Sequence, residues 1–485
     1  TNDLEIAGVI KYLEEVKGAT RNPTGSLSNY WQGRTDLVSP KFSGLDFSGV
    51  TNFTHGWRDC TSLTSFPDID TSSGTDFSYC WYDCDGLTSF PALTFSSGTN
   101  FVAAWRLCNN VGFTSFPAVT FSTDADDDIN FTNTWRSCTR LTSFPALNLS
   151  RGTVVNSTWK DCTAMTSFGA CTFSTHADDD ISFNTAWSGC TALTTFPALN
   201  LSRGTTFIES WMGNTAMTSF GACTFSTHAD DDIDFTTAWK DMTALTSFPA
   251  LDLSRGTNFS LTWRGCTNLA TWNTCTFSTT ASDDINFADA WRSCTALTSF
   301  PSDVDLTRGT NFSLCWYNTS IVSFPALDLS AGTDFSYAFG NNSDMVSWGA
   351  CNMNLGRTFN LAWYANTDLA TFPAGVFDDW NPSTVDNWCF LQAWYACRAL
   401  TEQSVENILL SISASGVYPT SDGTANAAAI TGREITIDSD NVNVDNLSAA
   451  NRAACTALQS RGWEVVINGS VVSEYALSFN GTDEY

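Results

Sequence analysis

The chain has 485 residues, of which 50 are acidic and 22 basic, giving a formal net charge of −28. So acidic a chain repels phosphate and anionic bilayer surfaces, which argues against nucleic acid as a partner. Hydrophobic residues make up 43% and aromatics 13%, too much for a solvated, disordered tail, and no apolar run reaches the roughly 18 residues of a membrane span, so no membrane insertion is expected.

In chain order, residues 1–30 read as an N-terminal helical cap. Ile6, Ile10 and Leu13 share one helical face, Asn2 with Glu5 resembles a capping box, and Gly18 is a stop. Tryptophan then recurs at positions 31, 57, 81, 105, 135, 159, 187, 211, 239, 263, 291, 316, 363 and 394, with Phe339 filling the one gap; the spacings run from 23 to 31 residues. Such a period is the signature of a solenoid. Most units read W-x-x-C-x-x-L-T-S-F-P-A-L-x-L-S-x-G-T-x-F-x-x-x-W. Each is too short to bury its own apolar side chains, so stacked copies must share ladders of Trp, Leu and Phe. L-T-S-F is the expected strand, Gly-Thr the expected turn, and x-F-x-x-x-W a short helical or irregular return. The expected fold is therefore a repeat solenoid, leucine-rich-repeat-like and α/β, with about 14–15 stacked coils and parallel strands over residues 31–400.

A second period of 52 residues overlies the first, because long and short coils alternate from Trp105 to Trp316. The long coils carry S-T-D-A-D-D-D-I, S-T-H-A-D-D-D-I twice, and S-T-T-A-S-D-D-I; the short ones carry Arg151, Arg203, Arg255 and Arg308. After Trp394 the pattern gives way to a C-terminal α/β capping unit, residues 401–470. Val405, Ile408, Leu409 and Ile412 form one helical stripe there, Ile435 and Ile437 alternate as in a strand, and a second helix and strand follow. Residues 471–485 read as a linker or the start of a further β domain. The chain begins at Thr1 rather than Met, which suits either a removed leader or a segment of something longer.

On the aromatic of each unit, the Cys three later, the Leu six later and the S-x-G-T-x-F return, the coil resembles the BspA-like repeats and their relatives in Mycoplasma-type surface lipoproteins. The resemblance implies adhesion or host contact at a cell or virion surface. The segment from Thr401 to Asn468 resembles the closing unit of such arrays, including phage fibre-like proteins, and A-L-S-F-N-G-T-D from Ala476 looks like the opening strand of a concanavalin-like jelly roll.

Four sets of residues could carry a site. The first is the acidic loops: Asp126, Asp127 and Asp128; Asp178, Asp179 and Asp180; Asp230, Asp231 and Asp232; Asp283 and Asp284. Clustered carboxylates are hard oxygen ligands suited to Ca2+, and His176 and His228 add a hint of a transition metal. The competing reading is a charge ladder, with each short-coil Arg lying between two carboxylate clusters; exposed pairs of that kind contribute about 0–1 kcal/mol each. The second is the cysteines. Nine follow the Trp by three residues and four more, Cys171, Cys223, Cys275 and Cys351, fill Leu-like positions, all read as free core thiols. The third is Trp380 and Trp388, in the longest coil beside Asp and Asn, the setting in which loop Trp residues grip sugars. The fourth is a Thr column after the core Leu, including Thr64, Thr88, Thr142 and Thr166, read mainly as an exposed β face.

Three His in all and no G-x-S-x-G, P-loop or H-E-x-x-H pattern leave catalysis unsupported. The expected function is a non-enzymatic, surface-exposed adhesin or fibre component, extracellular or on a cell or virion surface. Its partners would be a host or neighbouring-cell surface protein or glycan and other structural proteins of an assembly. The alternatives are a structural spacer in a larger assembly and a calcium-dependent glycan-binding protein.

Overall fold

The computed structural model describes residues 23–419 and 433–472, apart from Lys41, Ser43, Gly44, Ala125, Ala177, Ala281 and Asn387. The expected N-terminal helix and the jelly-roll-like strand from Ala476 lie outside the described residues. The chain divides into two compact units, the first running to Asp234 and taking in Ala238–Leu245, the second made of Phe235–Thr237 and the residues from Thr246 on. Both are parallel β-solenoid, together about 13 coils.

The coils contribute up to three very short strands each, and some are joined to their neighbours by isolated bridges alone. In the coil after Trp135 they are Ser143–Phe144, Asn148–Leu149 and Gly152–Val154. Their parallel partners are the equivalent residues of neighbouring coils: Ser143 with Ser167, Asn148 with Thr172, and Gly152 with Ile129. The expected strand at L-T-S-F is therefore present, shortened to its last two residues. Gly-Thr is not a turn but the start of a strand. Glycine is required there because a Cβ at Gly256 would lie 2.1 Å from Cζ of Phe259, and at Gly204 2.2 Å from Cζ of Phe207. Where a coil carries this Gly, as at Gly204, Gly256, Gly309 and Gly356, the tip of the coil's own Phe ring lies against it, a close approach no other residue permits.

The return through the aromatic is not helical, and among the described residues the coils hold no helix. The residues two before and two after the aromatic have positive φ, as at His55 (55°) and Asp59 (59°) around Trp57, or Tyr337 (56°) and Asn341 (58°) around Phe339. This alternation turns every second N–H along the stack. Phe53, His55, Trp57 and Asp59 donate to the carbonyls of Asp76, Ser78, Cys80 and Tyr82 in the next coil, at 2.8–2.9 Å. The intervening N–H groups of Gly56, Arg58 and Cys60 close tight turns onto Phe53, His55 and Trp57. No backbone donor in the return is left for an α-helical bond, so neighbouring coils are hydrogen-bonded here as firmly as in the strands.

The core is a column of indoles. In the first unit, successive rings from Trp31 to Trp239 stack at 4.8–6.0 Å, within 10° of parallel. In the second, Trp263, Trp291, Trp316, Phe339, Trp363 and Trp394 continue the arrangement at 4.9–5.7 Å. Phe rings such as Phe66 and Phe90 stand edge-on to the column, the geometry that the ring quadrupoles favour.

The second unit ends in the expected α/β cap. Helix α1, Glu402–Ser415, starts on Thr401, whose side chain accepts from the N–H of Ser404, and ends on Gly416 in the left-handed region. It buries Val405, Ile408, Leu409 and Ile412. Helix α2, Ala449–Ser460, packs on α1, and strands Glu434–Ile437 and Glu464–Ile467 pair in parallel. The Glu434–Ile437 strand takes the place of the next coil: the N–H of Trp394 donates to Thr436 O, and that of Asp438 to Trp394 O. Val471 pairs with Val466, and Val472 is buried, donating to Val465 O at 2.9 Å; the rest of the expected linker lies outside the described residues.

Candidate functional site

The acidic loops fold inward on their own coil. In each, one carboxylate accepts from the serine that opens the loop: Asp127 from Ser122 at 2.5 Å, Asp283 from Ser278 at 2.5 Å, Asp179 from Ser174 and Asp231 from Ser226. The same serine oxygens accept the N–H of Asp124, His176, His228 and Thr280. Each hydroxyl thus holds the loop backbone and its inner carboxylate at once.

Two of the short-coil arginines, Arg151 and Arg203, each reach two successive loops. Arg151 Nε donates to Asp127 O at 3.0 Å while its Nη1 reaches Asp179 at 3.2 Å and its Nη2 lies 3.7 Å from Asp128. Arg203 repeats this on Asp179 O, Asp231 and Asp180. In the second unit Arg255 pairs with Asp283, and Arg308 with Asp284 and Asp283 O. The expectation of exposed pairs needs correction. The side chains of Arg151 and Asp179 are only 10% and 9% exposed. These are buried ion pairs, each with additional hydrogen bonds, and breaking one leaves an uncompensated charge.

The remaining carboxylates point out. Asp178 is 92% exposed and Asp180 70%. His176 Nδ1 lies 3.9 Å from Asp178, an isolated surface contact. Among the described residues no group of three or more His, Cys, Asp or Glu side chains comes together in a way that could hold a metal ion.

The two loop tryptophans separate. Trp380 is buried, its Nε1 donates to Gly356 O at 2.7 Å, and its ring packs on Phe359, Phe377, Phe390 and Trp463. It seals the seam between the last coil and the cap, which removes it from the ligand-contact candidates. Trp388 is 43% exposed.

All 17 cysteines are buried and free. Those three after the aromatic donate Sγ–H to the carbonyl of the preceding coil's aromatic, for example Cys84 to Trp57 O at 3.1 Å and Cys138 to Trp105 O at 3.0 Å. Asn342 and Asn366 make the same bond to Trp316 O and Phe339 O, both at 3.0 Å, which explains why Asn substitutes for Cys. Burial pushes Cys138, Cys171 and Cys223 up to about 12; such thiols are inert toward metals and oxidants. The Thr column is exposed, and its hydroxyls donate to the Thr carbonyl of the previous coil, Thr88 to Thr64 O and Thr166 to Thr142 O.

One column escaped notice in the sequence: the residue directly after the aromatic. In the first unit it reads Arg58, Tyr82, Arg106, Arg136 and Lys160 on five successive coils, and in the second it includes Arg264, Arg292, Tyr317, Tyr364 and Tyr395. In a chain with 22 basic residues against 50 acidic, a column rich in cations and Tyr is a signal that the W-R, W-Y and W-K pairs already carry.

No family model matches the chain, and no curated protein compared with it matches. No helix among the described residues is long and apolar enough to cross a membrane.

Proposed function

We propose that the chain is a non-enzymatic attachment module, an adhesin or fibre component of the BspA-like, leucine-rich-repeat-related kind, working at a cell or virion surface. The observation that carries this reading is the repetition of surface columns. A cation or Tyr follows the aromatic on five successive coils of the first unit, and the Thr of L-T-S-F recurs in most coils, neighbouring copies lying about 4.8 Å apart. A surface of that kind presents the same contact repeatedly to an extended partner, and weak contacts multiply into useful avidity. The buried Asp-Arg ladder and the indole column hold the display rigid, which lowers the entropy lost on binding.

The test is direct. The purified chain, fluorescently labelled, is offered to a panel of cells and immobilised glycans. Saturable binding to at least one surface is expected. Absence of binding throughout the panel, with the native protein found in the cytoplasm, would overturn the reading. If residues following Tyr485 carry all the binding and the coils none, the chain is a spacer.

A further inference from the structure

We infer that the strip Arg58, Tyr82, Arg106, Arg136 and Lys160 of the first unit binds an extended acidic oligosaccharide that carries a carboxylate on its sugars. This rests on the attachment reading and gives it a ligand class.

The strip is in register. Asp59 N–H donates to Tyr82 O at 2.8 Å, Asp83 to Arg106 O at 2.9 Å, Leu107 to Arg136 O at 3.1 Å, and Ser137 to Lys160 O at 2.8 Å. Each bond ties the strip residue of one coil to the coil before it, so the five side chains rise by one coil at a time, about 4.8 Å. Sugar rings in an extended chain advance by a comparable step, so a carboxylate on each sugar meets a new coil.

The side chains are ordered before any ligand arrives. The Arg58 guanidinium lies 5.0 Å from the Tyr82 ring centre and 5.7 Å from that of Tyr79, and Arg106 approaches Tyr82 at 5.7 Å. Cation–π contacts of this kind fix Arg without neutralising it. Arg58 also pairs with Asp59 at 3.3 Å, and Arg136 with Asp161 at 3.7 Å and Asn133 at 3.2 Å. Among the described residues, Arg106 and Lys160 have no carboxylate within 4.0 Å. Two cations of the strip are therefore held by protein acids and two are left for a ligand's.

The neighbouring acids select the ligand. Asp59, Asp83, Asp85 and Asp161 lie alongside; burial, helped by Asp85 and Asp59, holds the Asp83 carboxyl above its usual range. With a net charge of −28 around it, the strip disfavours a phosphate polymer, which carries a full charge on every backbone unit and binds through many cations at once. A chain of sugars with one carboxylate each, an apolar ring face for Tyr82 and hydroxyls for the Asp side chains suits a strip of four cations and one Tyr flanked by acids.

The experiment is calorimetric titration of the full chain with linear oligogalacturonate, beside the same oligomer with its carboxyls reduced and a single-stranded oligonucleotide of equal charge. Binding of the uronate that weakens as salt rises, with no binding of the reduced oligomer, is expected. The double variant Arg106→Ala, Lys160→Ala should bind at least tenfold more weakly at an unchanged melting temperature. Equal binding of the reduced oligomer, equal affinity in the double variant, or oligonucleotide binding as tight as uronate binding would each overturn the inference. If the labelled chain binds cells and excess oligogalacturonate does not compete, this inference fails and the attachment reading stands; if it binds no surface, the attachment reading itself fails.

Discussion

Within the first unit, two columns of charge differ in what their charges do. On the loop edge, Arg151 and Arg203 each touch carboxylates of two successive loops, and their side chains are 10–11% exposed. On the strip after the aromatic, Arg58 and Arg136 are about three times as exposed, at 32% and 31%, and among the described residues the other two cations, Arg106 and Lys160, have no acid partner within 4.0 Å. The loop edge looked the more functional in the sequence because it concentrates eleven Asp. It is the more structural of the two. Stacking like charges every second coil would be self-repulsive, and the interleaved Arg converts the repulsion into a buried network. Charge density therefore does not mark a site; charge left unanswered by the fold does.

The largest effect should come from breaking that network. Arg203→Met leaves Asp231 buried without its cation and removes the donor to Asp179 O. It should cost about 3–5 kcal/mol in denaturant unfolding, whereas a loss below about 1 kcal/mol would mean that the pairs behave as exposed ones and the two columns do not differ. Ser174→Ala comes next. It deprives Asp179 of one hydrogen bond and the loop N–H of His176 of its acceptor, a loss of about 1–3 kcal/mol. Hydrogen exchange at His176 should quicken in step; an unchanged exchange rate would show that the serine does not hold the loop.

The indole column was legible because one large residue recurs at one spacing, and period is the strongest signal a solenoid gives. The L-T-S-F strand and the cap helices were legible for the same reason, as apolar spacing. Gly-Thr was misread because Gly more often marks a turn; here it is Gly because Phe259 or Phe207 lies over it, a contact no pattern of single residues reveals. The left-handed positions around each aromatic were hidden because they are held by Leu107, Leu261 and Tyr79 as readily as by Asn or Asp. Trp380 and Trp388 share a loop and a composition, and only the fold says which one faces the cap. The strip after the aromatic is legible in the W-R, W-Y and W-K pairs, but cations and Tyr mixed in one column form no single-residue period to draw the eye.

Removing the strip's two unpaired cations should leave the fold intact. Arg106→Ala and Lys160→Ala should each change stability by no more than about 0.5 kcal/mol, measured by the same denaturant titration as Arg203→Met. A cost above about 2 kcal/mol would place the strip with the loop edge as structure and dissolve the contrast.

The smallest effect is expected from chelator, and it bears on the loop edge alone. An ion that bound the folded chain and not the unfolded one would add stability in proportion to the logarithm of its concentration over its dissociation constant, so stripping it would lower the melting temperature. The inner carboxylates Asp127, Asp179, Asp231 and Asp283 already accept a serine hydroxyl, and at least three of them also face an arginine. A cation would have to displace that arginine, whose charge it would also repel, and would gain only outer carboxylates such as Asp178, which point into solvent. EDTA should therefore leave the melting temperature unchanged, with and without added calcium. A fall of several degrees that calcium reverses would mean that the outer and inner Asp can gather on an ion after all, and the loop edge, not the strip, would then be the place to look for a ligand.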